Sequence, residues 1–127
     1  MARVTYRLHR GRELEDLLRR GRARDYPLFR VTVRANGCGH ARAVVVIAKK
    51  IAKRAVIRNR LRRRTREWLH RTLPMATLPL DIAIFFKAGS AAISRKQLYD
   101  ALTATTTIIY SAHHHSAHPR IPAHPLA

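Results

Sequence analysis

The sequence predicts a single α+β domain in the order α-β-β-(β)-α-β-α, a central sheet packed by one long basic helix. Three observations predict it. Phe29, Val31 and Val33 alternate with Arg30, Thr32 and Arg34, and Leu80, Ile82, Ile84 and Phe86 alternate with Asp81, Ala83, Phe85 and Lys87, the period-two pattern of strands. Residues 43–48, AVVVIA, form a nearly continuous β-branched run, the composition of a buried strand. Beyond that run, Ile57, Leu61, Thr65, Trp68 and Thr72 recur on one side of a helical wheel. A chain of 127 residues with 46% hydrophobic content suits one domain with a modest core.

The first element is a helix around residues 11–20. Leu14, Leu17 and Leu18 recur at i, i+3 and i+4. Glu13, Glu15 and Asp16 crowd the first turn while Arg19 and Arg20 close the last, both signs suiting the helix dipole. Gly21 supplies the stop. The Phe29–Val33 strand follows and then a turn, Asn36-Gly37-Cys38-Gly39. Through that turn the strand is expected to pair antiparallel with the 43–48 strand, which would sit centrally in the sheet.

The basic helix comes next. Ile57, Leu61 and Trp68 face the sheet, with Leu69 at the edge of the stripe and Arg58 and Arg64 flanking it; Asn59, Arg62, Arg63 and Arg66 point outward. Pro74 and Pro79 end it. The strand from Leu80 to Lys87 is broken by Gly89-Ser90, and a last helix runs from the cap Ser94 to about Thr103. The threonines from Thr103 to Thr107 argue against a much longer helix. The folded domain is therefore expected over residues 1–110. Residues 111–127, with His113, His114, His115 and His118 among three prolines, read as a disordered tail. A His-rich tract is a metal-binding composition, but without ordered partners for its rings no metal site is expected there.

Charge names the partner class. The protein has 26 Lys and Arg against 7 Asp and Glu, a formal charge of +19. Eleven of the cations fall between Lys49 and Arg71, facing one acid, Glu67. Like charges at i,i+4 destabilise a helix, so a surface of this kind suits a polyanion whose phosphates release counterions on contact. Nucleic acid is the expected partner. A DNA-reading helix is disfavoured because no helix-turn-helix precedes it, and a membrane-surface helix because its apolar stripe is narrow and shared with the core. No apolar run approaches the roughly 20 residues of a membrane span, and MARVTYRLHR has no apolar signal core. The lone Cys38 excludes an internal disulfide. Cytoplasmic location is the expectation.

One family pattern is present. Lys49-Lys50, then Arg58-Asn59-Arg60, Leu61-Arg62-Arg63 and Arg66-Glu67, with Asp81-Ile82 opening the later strand and Lys87 and Gly89 closing it, resemble the protein subunit of bacterial ribonuclease P. The resemblance covers roughly residues 6–103. It implies a left-handed crossover between parallel strands, where the general rule is right-handed. It also implies that a ribonuclease P RNA carries the Mg²⁺-dependent cleavage freeing the 5′ end of tRNA, while the protein binds that RNA and the 5′ leader of precursor tRNA. The implied RNA-binding residues are Lys49, Lys50, Lys53, Arg54, Arg58, Asn59, Arg60, Arg62, Arg63 and Arg66. Arg30, Thr32, Arg34 and Lys87 are the leader-binding candidates. The family commonly has Phe at the positions of Leu14 and Leu18, and often an aromatic at that of Thr32. No catalytic residue, bound metal, cofactor or obligate protein partner is expected of the protein itself. Its acids, Glu13, Glu15, Asp16, Asp25, Glu67, Asp81 and Asp100, are scattered, whereas a metal nuclease needs them convergent. The alternative function is a ribosomal or architectural RNA-binding protein with no processing role.

Overall fold

The computed structural model describes residues 7–117, with side chains to residue 112. Helix α1 (Arg12–Arg20) leads into strands β1 (Arg22–Asp25), β2 (Phe29–Ala35) and β3 (Arg42–Val46). Helix α2 (Ala55–Thr72), strand β4 (Leu80–Phe86), a single 3₁₀ turn (Ser90–Ala92) and helices α3 (Arg95–Thr103) and α4 (Thr106–Ala117) follow. One four-stranded sheet has the order β1-β2-β4-β3.

β4 is the centre of this sheet, and that overturns one expectation. β2 and β3 do not pair with each other: both pair with β4, β2 antiparallel and β3 parallel. The 43–48 run is thus an outer strand, its far side met by the N-terminal segment through an Arg7–Ala43 bridge and a Leu8 N–H to Ala43 O bond of 3.0 Å. The reason is burial. Six of the seven residues of β4 are buried and the other is half-buried, so it satisfies itself only with a strand on either side and cover on both faces. α2 supplies the crossover that places β3 parallel to β4, since parallel neighbours cannot be joined by a tight turn.

Register sorts the residues onto two faces. Val31, Ile84 and Val45 align on one, as do Val33, Ile82 and Ala43. They form the main core with Leu61, Trp68 and Leu69 of α2, Leu98 and Leu102 of α3, and Ile108, Ile109 and Ala112 of α4. Trp68 is a core residue, 4% exposed. Thr65, fully buried within the α2 stripe, donates its hydroxyl to Leu61 O at 2.8 Å, which removes the cost of an unpaired polar group. The other face carries Thr32, Ala83 and Val44 in one row. There Leu8, Leu17, Val44 and Ala83 form a second, smaller core under α1.

The C-terminal expectation also changes. α4 continues through Ser111 and Ala112, so residues 111–127 are not wholly a disordered tail and the domain extends past residue 110. Thr103, Thr105 and Thr106 each donate a hydroxyl to a carbonyl three or four residues earlier, turning the chain between α3 and α4 instead of ending it. Burial of Ile108, Ile109 and Ala112 against the sheet outweighs weak helix propensity. Residues 118–127, including His118 and the three prolines, lie outside the described residues.

Gly21 does more than stop α1. Its φ of −80° suits any residue, but a Cβ there would lie 2.6 Å from Leu17 O, 2.8 Å from Val33 O and 2.9 Å from Thr32 Cγ2. A glycine is what lets α1 approach β2. Gly21→Ala is therefore expected to cost about 1–3 kcal/mol by overpacking in urea unfolding, whereas Gly37→Ala, where a Cβ meets nothing within 4 Å, should stay close to the parent.

Candidate nucleic-acid interface

The outward face of α2 is assembled by helical spacing. Asn59, Arg62, Arg63 and Arg66 line a depression of ≈ 470 Å³ with Glu67, His70 and Arg71. The charged turns hold together because the opposite face is anchored by Leu61, Thr65, Trp68 and Leu69. Arg62 donates to Asn59 Oδ1 at 3.0 Å, fixing one guanidinium along the helix. Arg60 and Arg63 are exposed, as are Lys49, Lys50, Lys53 and Arg54 in and after the turn that precedes the helix.

Sequence reasoning missed the second wall of this site. A groove of ≈ 530 Å³ runs between α2 and the N-terminal segment, lined by Arg7, His9 and Arg10 on one side, Asn59, Arg62 and Arg66 on the other, and β3 at its floor. Burial, then the nearby Arg10, Arg58 and Arg7, lower the proton affinity of the Arg62 guanidinium. Burial, then Arg7 and Arg62, do the same at Arg66. Both stay cationic at neutral pH, held partly out of water and beside other cations. The available signal was the basic run Arg7-Leu8-His9-Arg10, which periodicity alone does not bring to α2.

A polar network fixes that wall. Arg42 grips Asp81 with two parallel bonds of 2.8 Å and reaches Glu13 Oε2 at 2.9 Å. Asn36 donates to Asp81 Oδ1 at 2.8 Å, and His9 N–H donates to Glu13 Oε1 at 3.0 Å. The hydrogen bonds that Arg42 donates to Asp81 lead the rise in its proton affinity. Glu13, read from sequence as helix electrostatics, thus ties α1, the N-terminal segment and β3 together.

The leader candidates do not form one cluster. Thr32 is 1% exposed beneath the end of α1 and presents no surface to a ligand. Arg30 and Lys87 share Asp25, at 2.6 Å and 3.0 Å; the Lys87 hydrogen bond is the main cause of the lowered proton affinity of that carboxyl. Arg34 lies roughly 13 Å from Arg30 along the strand, in a separate groove of ≈ 260 Å³ with Glu13, Asp16, Arg42 and Asp81. The register sets half-buried Phe85 directly beside Arg30.

Among the described residues, no three His, Cys, Asp or Glu side chains are grouped to hold a metal ion, and no helix is long and apolar enough to cross a membrane. Glu13, Asp25, Asp81 and Asp100 are each paired with a cation.

Comparison with known proteins follows the same line. Residues 2–110 match the family model described as Ribonuclease P. The ribonuclease P protein component of Chromobacterium violaceum is 34% identical over 102 residues, 80% of this chain and 81% of that protein. That of Cronobacter sakazakii is 37% identical over 76 residues, 60% and 63% of the two chains. The solved ribonuclease P protein of Staphylococcus aureus shares the fold with a TM-score of 0.71 at 22% identity, over 83% of this chain and 95% of that one. The Thermotoga maritima protein does so with a TM-score of 0.67 at 23% identity, over 77% and 92%.

Proposed function

Since the chain belongs to the ribonuclease P protein family, whose members are the protein component of an RNA-processing ribonucleoprotein, we propose that α2 is its contact with the ribonuclease P RNA. The observation that carries this is the outward row Asn59, Arg62, Arg63 and Arg66, joined across a groove by Arg7 and Arg10. Guanidinium groups in a row suit phosphates, which they bind bidentately and with counterion release. Lys49, Lys50, Lys53, Arg54 and Arg60 extend the same surface. Family membership sets aside the ribosomal or architectural alternative.

Precursor tRNA is the substrate in this reading, with the chemistry carried by the RNA subunit and its Mg²⁺, and the cytoplasm as the place of work. The paired acids support that division, because carboxylates engaged by Arg42, Lys87 and Lys96 are not poised to hold a catalytic ion. The 5′ leader is assigned to the end of the sheet that holds Arg30, Lys87 and Phe85. Arg34 is left out because α1 separates it from that end. Phe85 offers a ring where Thr32, Leu14 and Leu18 do not, and stacking on a ring tolerates any base.

Two outcomes test this. Replacing Arg62, Arg63 and Arg66 together with Ala should weaken binding of a bacterial ribonuclease P RNA and lower the salt slope by roughly one per lost phosphate contact; an unchanged slope would remove α2 from the interface. Phe85→Leu, which keeps apolar bulk, should weaken holoenzyme binding of leader-bearing precursor tRNA by about tenfold, the scale of one lost stack, and leave mature tRNA unaffected. Equal loss on both would return Phe85 to a packing role.

A further inference from the structure

Arg58 stands apart from the other arginines of α2. Its Nη1 donates to Ala52 O and to Lys53 O, both at 2.9 Å, so both hydrogens of that nitrogen are used. Among the described residues no backbone N–H donates to either carbonyl. The two carbonyls end a tight turn in which Ile51 and Ala52 N–H groups bond back to Ala48 O at 2.9 and 3.3 Å. Ala52 is anchored in the main core at 5% exposure, and half-buried Ile51 packs against it. Lys49, Lys50, Lys53 and Arg54 project from this turn into solvent. Arg54, at the helix N-cap, makes no side-chain capping bond, and its carbonyl accepts from the Ile57 and Arg58 N–H groups at 3.1 and 3.2 Å. The guanidinium of Arg58 adds the side-chain link that ties the preceding carbonyls of the turn to the first turn of α2.

We propose that Arg58 is a positioning residue, which clamps the 48–54 turn onto α2 and thereby presents Lys49, Lys50 and Lys53 to RNA as a preformed set, instead of gripping a phosphate itself. The inference rests on α2 being the RNA contact. The rigid guanidinium plane fixes the direction of both Nη1 hydrogens at the full reach of the arginine side chain; a lysine ammonium keeps the charge but sits on a side chain one atom shorter and has no plane to fix it. Lysines on a fixed turn lose less freedom on binding than lysines on a loose one. The contribution of the lysines to affinity therefore depends on Arg58, whereas independent phosphate ligands would act separately.

The full-length protein and a transcribed bacterial ribonuclease P RNA give the test, with Arg58→Ala, Arg58→Lys, the triple Lys49→Ala, Lys50→Ala, Lys53→Ala variant, and their combinations. Arg58→Ala and Arg58→Lys are both expected to weaken binding by about tenfold. In either background the triple lysine change should cost clearly less than it does in the parent. Hydrogen exchange of residues 49–54 in the free protein should speed up in both Arg58 variants. Should Arg58→Ala not fold, Arg58→Lys carries the comparison alone. Near-parental affinity for Arg58→Lys, or losses that simply multiply, would make Arg58 an ordinary phosphate ligand and overturn the clamp. If neither the lysine triple nor the Arg62, Arg63, Arg66 triple weakens RNA binding, the RNA reading of α2 fails instead.

Discussion

The rest of the structure depends on holding a crowded cationic helix against the apolar face of the sheet. α2 is attached through one narrow stripe, Leu61, Thr65, Trp68 and Leu69, while its other sides carry arginines with a single acid, Glu67, among them. The folded state disfavours those charges: burial and neighbouring cations lower the proton affinity of Arg62 and Arg66. A lowered affinity for a cation's proton means that folding costs free energy at that group. The apolar stripe has to offset this cost, and α2 is also the crossover that sets β3 beside β4. Removing the stripe would thus undo the sheet order as well as the cationic surface proposed to meet RNA. Natural chains break local rules of this kind where function requires it.

The few acids are placed accordingly. Asp81 and Glu13 converge on Arg42, which is 21% exposed in its side chain, where a partly shielded bidentate pair has structural value. Asp25 serves Arg30 and Lys87, and Asp100 serves Lys96, all on open surface, where ion pairs add little to stability. Apart from Glu67, the acids lie off α2. The charge of +19 is therefore not spread evenly. Residues 49–71 hold eleven cations against one acid, while α1 and the sheet hold five of the seven acids.

How much of this was legible in the sequence follows from the range of the interactions. Local signals served well: period-two alternation located β2 and β4, and Ser94 with Gln97 made the expected cap and more, a reciprocal capping box. The helical wheel placed Trp68 inward and Arg62, Arg63 and Arg66 outward. Non-local facts were not available. Alternation shows that Thr32 faces away from Phe29, but not that α1 descends on it by way of Gly21. The β-branched run at 43–48 looks the same in a central strand and in an outer strand covered on both faces. The threonines after Thr103 carry weak helix propensity, and only the core that Ile108 and Ile109 enter shows why α4 forms. Arg7 and Arg10 reach the interface through the Glu13–Arg42–Asp81 network, which spans α1, β3 and β4.

The measurement that bears most directly on the central claim is the unfolding free energy of the protein alone as a function of ionic strength. If the cations of α2 are held against their own repulsion, stability in urea should rise as NaCl is raised from about 0.05 to about 0.5 M, because exposed like charges are screened over that range. Arg62→Gln with Arg66→Gln should flatten the rise. Stability that falls with salt, or a rise that the double variant leaves unchanged, would contradict the account, since it would mean that favourable ion pairs, not bare cations, dominate the electrostatics of this fold.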